Sequence, residues 1–356
     1  MRRGAPASCP RIVALGGGTG LPVVLRGLRD RLFPAEWRGA PARGRERLTA
    51  IVTVADDGGS SGRLRRSYGV LAPGDVRNCL LALSDDDDPL AAVFGFRFDG
   101  QDGVAGHSLG NLILTALAQI DGHFPRAVER AGRILSARGR VLPSTCDPVR
   151  LVAELDDGRR LEGESRIGAA GGRIRRVGLE PAGARAVAEA CEAIALADLV
   201  VVGPGSLYTS LVPVLLVREL ADAIAASRAR TLVVMNLMTQ PGETDGHTAA
   251  DHLAALRRHA PRLRFHDVLV NVAAIPEPLG RSYAEHGAQP VVVDGEALRQ
   301  LGCRVWERPL LAPAGRVRHD PGLLAQAVLD VAAAEPPARY ASMACAEAAA
   351  PGLSLP

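Results

Sequence analysis

The chain has 356 residues, is 47% hydrophobic and sets 42 basic against 39 acidic residues, for a net charge of +3. That supports a large core, whereas the low charge and an aromatic content of 3% speak against a nucleic-acid platform of stacked rings. Every lysine-or-arginine position is arginine; without lysine there is no Walker A motif, which excludes an ordinary P-loop ATPase.

In chain order, residues 1–10 read as a flexible leader. Arg11 to Leu15 is a short apolar strand, followed at once by Gly16-Gly17-Gly18-Thr19-Gly20 and a helical apolar spacing from Leu21 to Leu32. Strand, glycine turn and helix aim a helix N-terminus at phosphate. The dinucleotide fingerprint fails, because Leu21 stands where its third glycine belongs. Residues 33–47 read as a variable surface loop. The run Ile51 to Val54 predicts a buried strand that ends at Asp56 and Asp57, ahead of Gly58, Gly59, Ser60, Ser61 and the arginines Arg63, Arg65 and Arg66. Small residues let backbone N–H groups approach a ligand, and acids beside guanidinium groups suit a polyanion with or without a divalent cation.

Gly74 to Leu83 predicts a helix with Arg77 and Asn78 in its first turn. In the Asp85–Asp88 run, Asp88 is placed to cap a helix that has Pro89 at its first position. Gly106-His107-Ser108-Leu109-Gly110 matches the hydrolase elbow, but no strand precedes it, as that elbow needs. It reads instead as the start of a helix over Asn111 to Ile120, with His107, Ser108 and Asn111 at its N-terminal end, where His or Asn can donate to a ligand. Another helix is expected over Pro125 to Ala137.

Short β-like runs at Val141–Pro143, Leu151–Leu155 and Ile174–Val177, with a hairpin turn at Asp156-Asp157-Gly158, predict a small antiparallel insertion over about 140–178. Helices are expected over Pro181 to Ala195, Val214 to Ser227 and Gly246 to His259. Strands are expected at Asp198–Val202, Thr231–Asn236, Asp267–Asn271 and Val291–Asp294. Pro321 to Ala334 reads as a last helix, and 335–356 as a disordered tail. Cys9, Cys79, Cys146, Cys191, Cys303 and Cys345 are scattered without a C-x-x-C pair, and the N-terminus has no signal-peptide pattern, so a cytoplasmic location with reduced thiols is expected. The longest apolar stretch is too short to span a bilayer, so no membrane insertion is expected.

The expected fold is an α/β, Rossmann-like open parallel sheet with helices on both faces, forming one domain over 11–334. Four of its strands end in small or polar loops, at Gly16, Asp56, Gly203 and Asn236. In an open parallel sheet such ends share one edge, where ligands bind. That makes a nucleotide or sugar-phosphate ligand the leading expectation.

The motifs GGGTGL (16–21), VTVADDGGSSGRLR (52–65), PGDVRN (73–78), GHSLGN (106–111), VVGPGSLYTS (201–210) and NLMTQPGETDG (236–246) occur in this order. On them the chain resembles the YvcK branch of the YvcK/CofD family, the gluconeogenesis factors. The resemblance implies a cytoplasmic, non-catalytic protein that binds a uridine-diphosphate sugar such as UDP-N-acetylglucosamine. It further implies a regulatory role in carbon metabolism, cell shape and peptidoglycan synthesis. No cofactor is then required, although Mg2+ can accompany the nucleotide; a homo-oligomer and a regulatory protein partner are compatible with this. Carried onto this chain, the ligand site comprises Gly17, Gly18, Thr19, Gly20, Asp56, Asp57, Asn111, Gly203, Gly205, Ser206, Asn236, Thr239 and Gln240, together with Tyr283 in RSYAEHG and Arg318 in VRHD. Ser60, Arg63 and His107 join it from the loop chemistry above. The alternative implied by the same family is a CofD-like 2-phospho-L-lactate transferase. It would use a guanosine-nucleotide donor, a deazaflavin acceptor and a divalent metal held by Asp56 and Asp57.

Overall fold

The structure is a computed structural model that describes residues 9–33, 44–101, 103–169, 171–313 and 315–335. The expected leader up to residue 8, most of the 33–47 loop and the tail from 336 lie outside the described residues.

Ten strands follow one another among the described residues. They are β1 (Ile12–Gly16), β2 (Leu48–Val52), β3 (Arg140–Pro143), β4 (Arg150–Leu155), β5 (Arg160–Glu162), β6 (Ile174–Glu180), β7 (Leu199–Val202), β8 (Arg230–Val234), β9 (Asp267–Asn271) and β10 (Arg304–Arg308). Seven form one sheet in the order β10-β9-β8-β7-β1-β2-β3, and every neighbouring pair is parallel. β1, β2, β7 and β8 are buried along their whole length, which explains their largely apolar sequences. The chain runs outward from β1 to β3, then returns to the other side of β1 at β7. This reversal places a topological switch point between β1 and β7, with its crevice at the carboxyl ends of the two strands.

One helical layer joins Gly20–Leu32, Gly74–Leu83 and Pro321–Ala333; another joins Ala188–Ala195 to Arg218–Ala226. Asp88 caps Pro89–Gly95 by accepting from the Leu90 N–H, as its spacing predicts. β4, β5 and β6 form the separate antiparallel sheet, so the small insertion is present. Among the described residues no helix is long and apolar enough to cross a membrane.

Four expectations need correction. Residues 140–143 do not belong to the insertion: they form β3, the edge of the main sheet, hydrogen-bonded to β2. Residues 181–187 are not helical; Gly183 turns at a φ of 84° and Ala186 bridges Thr145. The helix expected over 214–227 breaks between Val212–Leu215 and Arg218–Ala226. Val291–Asp294 is not a strand, because its backbone partners are the Leu237 carbonyl and the Ala249 N–H, a loop and a helix start rather than a ladder. The last strand is β10, which the sequence reading missed. Its alternation of Arg, Trp and Glu reflects an edge strand, on which Arg304 and Arg308 lie over the Trp306 ring at 4.7 and 5.4 Å.

The edge of the sheet opposite the crevice is tied by one fully buried acid. Asp267, at the start of β9, accepts from Arg230 Nη2 at 2.5 Å, Arg304 Nε at 2.8 Å and Trp306 Nε1 at 2.7 Å, which joins the starts of β8, β9 and β10. Asp267→Ala would leave Arg230 buried without its counter-charge. It is expected to cost about 3 kcal/mol or more of unfolding free energy in a denaturant titration. A loss below about 1 kcal/mol would show that the edge does not depend on this acid.

Candidate functional site

The turns after β1 and β7 are packed backbone to backbone. A Cβ built on Gly20 would stand 2.1 Å from the Pro204 carbonyl oxygen, so only glycine fits where the helix Gly20–Leu32 begins. Gly18 sits at a φ of 61°, and Thr19 is exposed with no capping hydrogen bond of its own. Across the crevice, Asn236 clamps the second turn in both directions. Its Oδ1 accepts from the Gly205 N–H at 2.9 Å and its Nδ2 donates to the Gly205 carbonyl at 2.7 Å. Gly203 is held by its N–H to the Leu15 carbonyl. Ser206 Oγ donates to Gln240 Oε1 at 2.6 Å, and Gln240 Nε2 donates to Glu243 Oε1 at 2.7 Å. Glu243 is buried, its Oε2 has no partner, and burial pushes its carboxyl up to about 7.

The Thr239 hydroxyl accepts from the Gln289 N–H at 2.9 Å and keeps its own proton to donate, while its N–H donates to the Gln289 carbonyl. That tie carries the helix Glu277–Glu285, with half-buried Tyr283, towards the 236–240 loop. Arg318 is exposed, and its neighbour His319 hydrogen-bonds the Met235 carbonyl just beyond β8. No ion pair joins Arg318 to Asp320, which instead caps the helix Pro321–Ala333. A pocket of about 240 Å³ lies between the ends of β8 and β9, lined among others by Asn236, Leu237, Ile275 and Pro290.

The other half of the cleft follows β2. Asp56 Oδ1 accepts from the Gly58 N–H at 2.8 Å, and the helix Gly59–Tyr68, which the sequence reading did not mark, carries Ser60, Arg63 and Arg65. Arg65 donates to the Asp56 carbonyl at 2.9 Å and the Val149 carbonyl at 2.6 Å, so it braces the loop from behind. Two further acids meet this loop. Asp75 accepts from the Gly18 N–H and lies against Gly17, which links the two halves. Glu164, from the insertion, hydrogen-bonds Asp56, while Ser165 N–H donates to Asp57 Oδ1 at 2.9 Å. Burial first, and then the charge of Asp56, pushes Asp75 up to about 6; burial with Asp56, Asp75 and Asp57 pushes Glu164 up to about 9. Glu164 therefore keeps a proton at neutral pH and shares it with Asp56. Asp75 was legible only as part of PGDVRN; nothing in the local sequence marked Glu164.

All of these donors are carboxylate oxygens, the type a hard divalent cation takes, and the shared proton stands where positive charge is wanted. Asp56 and Asp57 each already accept one backbone N–H, from Gly58 and Ser165, and Asp75 and Glu164 stand beside Asp56. Among the described residues no three such side chains already converge as a coordination sphere.

Beyond the acids, Arg77 is buried and donates to Ser108 Oγ and to Asn111 Oδ1 at 3.0 Å. Asn111 Nδ2 donates to Ser60 Oγ at 3.0 Å, and Ser60 Oγ lies 2.9 Å from His107 Nδ1. Ser108 caps the helix Leu109–Asp121. It faces an arginine that can only donate, not a base, so it lacks the partner a nucleophilic serine requires.

Two measurements check this geometry. Glu164 in the folded chain holds its proton to about pH 9, against an ordinary 4.5. Its contribution is therefore greatest at low pH and is lost as pH rises through that window. The melting temperature should fall between neutrality and pH 9, and Glu164→Gln should flatten that slope; equal slopes in parent and variant would refute the shared proton. Ser108→Ala should cost about 1 kcal/mol of stability, as for a lost helix cap. Fluorophosphonate probes should leave Ser108 unlabelled, and labelling there would revive the hydrolase.

Comparison with known proteins points one way. The profile of the family CofD, 2-phospho-L-lactate transferase, matches residues 12–311. The Bacillus subtilis protein named gluconeogenesis factor is 43% identical over 323 residues, 90% of this chain and 98% of its own. A relative from Nostoc sp. is 49% identical over 323 residues, 90% of this chain and 68% of its own. The crystal structure of a Bacillus halodurans protein matches with a TM-score of 0.84 at 42% identity, covering 90% of this chain and 99% of that one.

Proposed function

The chain belongs to the YvcK/CofD family, and from that membership we propose that it is a cytoplasmic sugar-nucleotide-binding regulator of the YvcK type rather than an enzyme. The observation that carries this reading is the interlocked pair of turns at the switch point, Gly17–Gly20 and Gly203–Ser206, with Asn236 fixing the second. Such turns present backbone N–H groups and the start of a 13-residue helix to a diphosphate. The uracil occupies the pocket between β8 and β9, which suits one flat ring with polar Asn236 and Asn271 on its rim. Tyr283 and Arg318 close on the sugar and the diphosphate. UDP-N-acetylglucosamine is the ligand of choice, and binding would couple carbon supply to cell shape and peptidoglycan synthesis through a protein partner or a second copy of the chain.

The acid cluster favours a second reading. If a divalent cation such as Mg2+ accompanies the nucleotide, carboxylates among Asp56, Asp57, Asp75 and Glu164 would hold it. It would neutralise diphosphate charge there, as a CofD-like phospholactate transfer also needs. In that reading the chain's own residues bind and orient the donor, and Ser60 with His107 positions the acceptor.

Thermal denaturation with UDP-N-acetylglucosamine, UDP-glucose and GDP separates the readings. At a concentration 100 times its dissociation constant a ligand adds about 2.7 kcal/mol. The uridine sugar should raise the melting temperature most. Arg318→Ala should weaken its binding about tenfold or more without moving the apo melting temperature, since Arg318 is exposed. Formation of phospholactylated deazaflavin from a guanosine-linked donor would sink the regulator in favour of the transferase.

A further inference from the structure

The hydrogen bonds from Arg77 to His107 run in one direction, and that direction is fixed at its buried end. A guanidinium can only donate, so Asn111 Oδ1 accepts from Arg77 and its Nδ2 is turned to Ser60. The Ser60 hydroxyl has no other partner among the described residues, so its proton goes to His107 Nδ1. His107 therefore carries its own proton on Nε2, and that nitrogen has no protein partner among the described residues. Burial, then the charges of Arg63 and Arg97, hold the imidazole below its ordinary value, so it is neutral near pH 7 and a fixed N–H donor.

Two guanidinium groups flank this donor. Arg63 Nη2 donates to the Ala105 carbonyl and Arg97 Nη1 to the Gly106 carbonyl, each at 2.6 Å. These are the two carbonyls that immediately precede His107. Neither arginine forms a salt bridge among the described residues, and Arg77 behind them forms none either. The acids of the cleft lie elsewhere: on the helix Gly74–Leu83, Asp75 meets the Gly17–Gly18 turn, whereas Arg77 meets Ser108 and Asn111. One half of the cleft thus gathers acids and the other arginines, with Arg77 between them within electrostatic reach of Asp75 and Asp56.

We propose that Arg63, Arg97 and His107 Nε2–H form a second anion subsite, which takes the phosphate group of a ligand other than the nucleotide. Two unpaired guanidinium groups and one N–H match a phosphate dianion better than a single carboxylate. The subsite removes Arg63 and His107 from the nucleotide's own contacts and adds Arg97, which no sequence motif marked. It stands whether or not the other half binds a uridine sugar. In the regulator the second ligand is a phosphorylated metabolite.

The test is nitrogen NMR of protein labelled in its eight histidines, titrated with inorganic phosphate, with His107 assigned by its disappearance in His107→Gln. The expected result is an Nε2-protonated tautomer for free His107 and a saturable shift on adding phosphate. Arg97→Ala, a substitution at an exposed position, should weaken that titration about tenfold, the size of one charge-assisted contact. Prior saturation with UDP-N-acetylglucosamine should leave the titration unchanged. An Nδ1-protonated ring, no shift with phosphate, an unaltered titration in Arg97→Ala, or displacement of phosphate by the uridine sugar would each overturn the proposal. A thermal-shift response to the uridine sugar alone tests the nucleotide site separately.

Discussion

The contact between the turns after β1 and β7 sets the terms for the rest of the molecule. With 2.1 Å between a Cβ at Gly20 and the Pro204 oxygen, the first turn can carry no side chain at Gly20. The two helices that follow therefore start side by side, on either side of the point where the sheet reverses its winding. Everything that faces a ligand is referred to this junction. Asn236 holds Gly205 from β8, and Asp75 reaches Gly18 from the helix after β2. A parallel sheet buried on both faces makes such a junction rigid, because its strands have no freedom to slide without exposing apolar surface.

Charge is then distributed around the junction with little mutual cancellation. Asp56, Asp57, Asp75 and Glu164 would repel one another if all were ionised, and the shared proton on Glu164 is the cheapest relief the fold provides without a cation. Arg77 feels the charge of Asp75 and Asp56, yet its terminal nitrogens hydrogen-bond Ser108, Asn111 and Asn78 rather than either acid. A buried charge kept apart from its nearest counter-charge is costly for folding. Its retention fits a site whose compensation arrives with bound ligands, cation to one half and anion to the other.

The sheet, its apolar strands and the turns at 16–20, 56–58, 203–206 and 236–240 were legible, because buried parallel strands write themselves as largely apolar runs closed by small residues; the helix that starts at Gly59 was not. β10 was not, since RVWER is an edge strand whose arginines cover a tryptophan and mimic a polar loop. Val291–Asp294 misled for the opposite reason: its apolar, β-branched residues bond to a loop and a helix start. Thr239 lay in a legible motif, but the contact of its hydroxyl with Gln289 is set by tertiary packing alone. Glu164 was invisible because its role depends on where the insertion lands, which no local pattern encodes.

That landing also explains why the insertion is part of the site. At one end Ser165 and Glu164 grip Asp57 and Asp56 beside β2. Along β6 the Val177 N–H donates to His259 Nε2 at 3.1 Å, and Arg258 Nη1 donates to the Arg175 carbonyl at 3.2 Å, which anchors the same sheet to the helix Ala249–His259 that follows β8. The insertion therefore spans from the acidic half, after β2, to the helix that follows β8, across the switch point. His259 Nδ1 is bonded to the Ala255 carbonyl, so its Nε2 accepts from Val177 only while the ring is neutral, and burial keeps it so by holding its pKa down. The two halves of the cleft are thus held at a fixed separation by an element outside the main sheet. Any motion that drew them together would have to bend or release that brace.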